Sequence, residues 1–171
     1  MEFNDYFLLA VIGVAAITDL CTGKIYNRLT YSAFVVALVL PFAGGSVPLF
    51  DVLVGFLVGF VPLFVVYQMG GIGGGDVKLL AVLGGLAGYP FILHIMFYSF
   101  LVGGVLALSI IVWQGRFLEV MRRMGKNAYL LVFPGTHPHV PNDGYRIPFG
   151  FAICMGTLWA LLMKILGLVW I

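Results

Sequence analysis

Apolar runs of helical length alternate with short polar breaks along the chain. Six stand out: Phe3 to Ile17, Thr30 to Phe42, Pro48 to Met69, Val77 to Gly88, Phe91 to Trp113 and Ile147 to Trp170. None has the period-2 alternation of a membrane strand, so the pattern predicts α-helices rather than a barrel. The third, fifth and sixth runs are long enough to cross roughly 30 Å of hydrocarbon, whereas the others need their flanks and the fourth is too short alone. The one sizeable polar segment is Gln114 to Arg146. Within it Phe117, Val120, Met121 and Met124 recur at helical spacing, with Arg116, Arg122, Arg123 and Lys126 on other faces. That pattern predicts an amphipathic helix lying on anionic lipid. Pro134 to Gly144, which follows, is rich in turn formers.

Composition agrees with this pattern. The 171 residues are 62% hydrophobic and only 9% charged, far below the quarter usual for a soluble domain. With no internal repeat, the expectation is one all-α polytopic membrane domain over residues 1–171, six transmembrane helices with a loop at residues 114–146 between the fifth and sixth. The net charge of +2 is too small to call for nucleic acid as a partner. The basic residues serve better as a topology signal. Lys24 and Arg28 follow the first run, Lys78 follows the glycine run, and Arg116, Arg122, Arg123, Lys126 and Arg146 lie in the long loop. Six spans put all of these on one side, which the positive-inside rule makes cytoplasmic, with both termini outside. The other side carries Glu2, Asp5 and Asp51, and Lys164 is left inside the last helix to snorkel or pair. The first residues are acidic and form no basic n-region, so the first run is expected to stay as a helix rather than leave as a signal peptide.

The stretch Met69-Gly70-Gly71-Ile72-Gly73-Gly74-Gly75-Asp76-Val77-Lys78 breaks the apolar pattern with five glycines and a carboxylate. A carboxylate at membrane depth is costly unless it is paired, hydrated or used. One reading makes Asp76 the N-cap of a fourth helix. Another makes it half of a catalytic pair, in which one carboxylate takes a proton from water while the other, protonated, polarises the scissile carbonyl. The topology puts Asp19, at the end of the first helix, on the same side as Asp76. Asp19 has its own plain reading, an ion pair with Lys24 or Arg28. About 13 residues from Asp76 to a turn at Gly88-Tyr89-Pro90 span roughly 20 Å, which recesses Asp76 about 10 Å below the cytoplasmic edge. The expectation there is a wet pocket lined by irregular, glycine-rich backbone.

Other candidates are weaker. Cys21 and Cys154 form no CxxC, so neither a zinc ribbon nor a disulfide framework is expected. Cys21 lacks an activating His or Asn, and His137 and His139 lack further ligands at suitable spacing. No metal or other cofactor is expected. Gly55/Gly59 and Gly84/Gly88 are small-xxx-small pairs suited to helix packing.

Gly73-Gly74-Gly75-Asp76-Val77-Lys78-Leu79 resembles the second aspartate motif, GxGD, of type IV prepilin peptidases. Asp19 through Ile25, with Asn27, Leu29 and Thr30, resembles the first aspartate motif of that family. Ile147-Pro148-Phe149-Gly150-Phe151-Ala152 resembles the usual start of its last helix. The resemblance implies a membrane aspartic endopeptidase that removes the short basic leader from type IV prepilins and pseudopilins at the cytoplasmic face of the inner membrane. It implies catalytic roles for Asp19 and Asp76, supporting roles for Gly73 and Gly75, which shape the loop, and a place for Lys78 beside the active aspartate. Membrane lipid and pilus-assembly proteins are the other partners implied. Tyr26 stands where the family often has proline, which costs no catalytic group. Without the paired CxxC motifs of the larger members, the chain resembles the short, peptidase-only branch of Flp/Tad-type pili, with no N-methylation and no zinc expected. A different class, a small ion or solute carrier using the two aspartates as a cation site, predicts matching broken helices in both halves, and only one glycine break is present.

Overall fold

The computed structural model describes residues 2–68, 72–113, 115 and 149–168. Among these there are six α-helices and no strand: α1 Phe3–Thr22, α2 Asn27–Val39, α3 Leu49–Gln68, α4 Gly74–Ala87, α5 Phe91–Trp113 and α6 Phe149–Ile165. A 3₁₀ turn, Leu40–Phe42, extends α2. The expected amphipathic helix of the long loop, both loop histidines and Met69–Gly71 of the glycine run lie outside the described residues.

The short fourth helix is the hub. Nine of the 14 residues of α4 are buried, from Val77 and Leu79 to Leu86, because α1, α2, α3, α5 and α6 all pack against it. A helix apolar on every side is a helix enclosed by protein, which accounts for a run too brief to face lipid alone. The closest neighbour is α3. Gly55 faces Gly84 so closely that a Cβ on either would run into the carbonyl of the other, and Gly59 sits on the Leu80 carbonyl. These contacts match the small-residue packing expected for Gly55, Gly59 and Gly84. Gly88 differs: it ends α4 at a φ of 74°, packed on Val47, a backbone conformation that favours glycine.

The antiparallel pair α1 and α6 is tied at one end by charge. Lys164 Nζ lies 3.0 Å from Asp5 Oδ1 and 3.5 Å from Glu2 Oε2, so the last helix pairs its cation rather than snorkelling it. At the same end Asn4 Nδ2 donates to the Leu86 carbonyl at 3.1 Å, and the Tyr89 amide donates to the Asp51 carbonyl at 3.1 Å. The starts of α1 and α3 and the ends of α4 and α6 therefore share one end of the bundle. The opposite end holds the end of α1 and the starts of α4 and α6, about 20 Å away along each helix.

Among the described residues, three helices are long and apolar enough to cross a membrane: Phe3–Thr22, Leu49–Gln68 and Phe91–Trp113. The last two match the expectation. The first reaches spanning length with its flank, as expected of a shorter run, since α1 continues past Ile17 through Asp19 to Thr22. In the sixth run the described helix covers 17 residues and closes in a turn where Gly167 has a φ of 69°.

Candidate active site

Asp19 lies in the last turn of α1, which ends when Gly23 adopts a φ of 62° and donates its amide to the Asp19 carbonyl at 2.8 Å. Its side chain is buried and turned toward α6, where Oδ2 accepts the Phe151 amide at 3.0 Å. Phe151 is the third residue of α6, and amides of a first helical turn have no acceptor within the helix. A carboxylate at this position supplies one and complements the positive end of the helix dipole. The approach depends on Gly150, where a Cβ would stand 2.7 Å from Asp19 Oδ2. Among the described residues the ion pair with Lys24 or Arg28, the plain reading of Asp19, is not formed, and the side chain's partner is backbone.

Asp76 also meets a helix start, its own. α4 begins at Gly74 with Gly73 as N-cap, and Asp76 is the third helical residue. Asp76 Oδ2 accepts the Gly73 amide at 3.2 Å, reaching back over the first turn. This corrects the N-cap reading. Helix four starts three residues before Val77 because the carboxylate, placed inside the first turn, satisfies the amide that precedes it. Gly74 and Gly75 are consequently helical rather than part of an irregular break. At Gly73 a Cβ would come within 3.1 Å of Asp76 Oδ2, and at Gly75 within 3.2 Å of Ile25 Cβ, so a side chain at either position would press on its neighbour.

Asp19 and Asp76 come together at this end of the bundle, close enough for the charge on one to act on the other. Ile25, from the connection between α1 and α2, lies between the two helix starts. It touches the Gly75 face with Cβ, and its Cδ1 is 3.1 Å from where a Gly150 Cβ would be. Among the described residues each aspartate has Oδ2 held by a backbone amide, and neither Oδ1 has a donor. Asp19 is buried, whereas Asp76 is partly open.

Lys78 is not beside the carboxylate. Two helical positions turn it about 200° from Asp76, and it faces α2 instead. Its Nζ donates to Asn27 Oδ1 at 3.0 Å and lies 5.6 Å from the Tyr31 ring centroid. Cys21 is exposed, and Cys154 is buried with its thiol donating to the Ile12 carbonyl at 2.9 Å. Among the described residues no cluster of His, Cys, Asp or Glu is arranged to hold a metal. Gly150, the Phe151 amide and Ile25 were not singled out by sequence reasoning as parts of the site. The only signal was that their stretches resemble family motifs.

A family model described as the type IV leader peptidase family matches residues 6–108, from α1 into α5, and takes in both aspartates. The chain belongs to the type IV leader peptidase family. It is thus a protease of the leader-peptidase kind, and its apolar helices make this peptidase a multi-pass membrane protein. No curated protein and no solved structure matches it.

Proposed function

We propose that this peptidase is an aspartic endopeptidase that removes the short basic leader from Flp-like type IV prepilins and pseudopilins at the cytoplasmic face of the inner membrane, with Asp19 and Asp76 as the catalytic pair. The observation that carries the reading is that two carboxylates from distant segments share one end of the bundle, each with Oδ2 accepting a backbone amide and, among the described residues, no donor on Oδ1.

The chemistry follows from two carboxylates sharing one proton. The ionised member takes a proton from water as its oxygen bonds to the scissile carbonyl carbon. The protonated member donates its hydrogen bond, then its proton, to the carbonyl oxygen. The tetrahedral intermediate collapses as a proton passes to the departing amine and the C–N bond breaks. The proposal covers peptide-bond cleavage alone, without N-methylation.

Six spans with both termini outside support the geometry, since they put eight of the nine basic residues and both aspartates on the cytoplasmic side. A prepilin presents its basic leader in the cytoplasm and an apolar helix in the membrane, so the bond between them lies near that interface. Co-expression with a Flp-like prepilin tests the reading: wild type releases the leader, while Asp19→Asn and Asp76→Asn insert normally and each leave it uncut. Normal processing by either variant would overturn the pair.

A further inference from the structure

We propose that the first turn of α6 is a positioning element for catalysis: Gly150 lets the helix come against Asp19, and the Phe151 amide fixes Asp19 Oδ2 so that Oδ1 is presented toward Asp76. This rests on the reading of Asp19 as catalytic.

Two independent features of the contact support it. The hydrogen bond from Phe151 to Oδ2 is 3.0 Å long, and a Cβ at Gly150 would stand 2.7 Å from that oxygen and 2.9 Å from Cγ. The contact is therefore held by a directional bond and made possible by the absence of a side chain at Gly150. The surroundings hold α6 at this height. Phe149 packs over Gly103 of α5, Gly156 meets the backbone of Ser99, and the Lys164–Asp5 pair ties the far ends of α6 and α1. With both helices held there, the first turn of α6 acts as a fixed stop for the Asp19 carboxylate. Ile25 lies against the Gly75 and Gly150 faces beside this contact. Free rotation about χ2 would exchange the two oxygens of Asp19; occupying one of them defines which oxygen meets substrate.

A contact that served only to cap α6 would make a different prediction, changing stability and leaving the rate alone. Proline is tolerated in a first helical turn and removes the amide hydrogen, so Phe151→Pro tests the bond, while Phe151→Ala keeps the amide and serves as its reference. Gly150→Ala tests the close approach without touching the bond donor. Each is purified in detergent and assayed on a synthetic peptide of basic leader and apolar segment, with thermal unfolding in parallel. Because a displacement of about 1 Å at a reacting group costs on the order of 100-fold, kcat should fall about 10–100-fold in Phe151→Pro relative to Phe151→Ala, and similarly in Gly150→Ala relative to wild type. KM should stay within about 2-fold of the same references, since leader binding is untouched. A folded Phe151→Pro with the kcat of Phe151→Ala would overturn the proposal, as would wild-type kcat in Gly150→Ala, which decides alone if the proline variant does not insert. Cleavage by Asp19→Asn would instead defeat the catalytic reading on which it rests.

Discussion

Lys78 Nζ donates to Asn27 Oδ1 at 3.0 Å, joining the start of α4 to the start of α2 just beyond the connection that carries Ile25. The two stretches that resemble the family's aspartate motifs are therefore linked by a side-chain bond that bypasses both aspartates. Lys78 completes its environment with the Tyr31 ring rather than a carboxylate.

Breaking that link should loosen the alignment of the two helix starts. Lys78→Met and Asn27→Ala are each expected to lower kcat severalfold, and a double-mutant cycle on thermal stability should show a coupling of about 0.5–1 kcal/mol. Additive effects would mean that the bond aligns nothing.

The catalytic pair should give a bell-shaped dependence of kcat/KM on pH. If Asp19 and Asp76 act as proposed, with one member protonated and the other ionised, activity falls at both extremes of pH, where the pair holds two protons or none. A profile with a single limb would contradict the shared proton, and it is read from initial rates on a leader peptide whose own groups do not titrate in the range.

The face between α3 and α4 should not tolerate side chains. Gly84→Val puts branched carbon into the Gly55 carbonyl and is expected to cost about 1–3 kcal/mol, seen as a lower thermal midpoint in detergent. Gly104→Val is the comparison, because a Cβ there meets nothing within 4 Å, and it should unfold like wild type.

The far-end ion pair should behave as a pair. Lys164→Met leaves Asp5, only 7% exposed at its side chain, without its cation and is expected to destabilise by up to about 3–5 kcal/mol. Adding Asp5→Leu removes the stranded charge and should recover much of the loss. A double variant as unstable as the single one would show that the cost is lost packing.

Much of the architecture was determined by the sequence itself. Apolar runs of helical length in a chain with few charges leave only a helical membrane protein, because backbone groups in hydrocarbon must be satisfied within each segment. The skew of Lys and Arg was enough to assign Asp19 and Asp76 to one side, and the geometry brings both to one end of the bundle. The tertiary structure decided the contacts across that end. Nothing in the local pattern says that the Phe151 amide reaches Asp19, that Ile25 fills the space between Gly75 and Gly150, or that Lys78 turns to Asn27. Helical phase and the approach of separate helices set these contacts, and both depend on side chains far along the chain. The start of α4 shows the same division. Glycines before an aspartate read as a bend, but the Asp76 carboxylate reaching back to the Gly73 amide lets the helix begin three residues earlier and takes Gly74 and Gly75 into it.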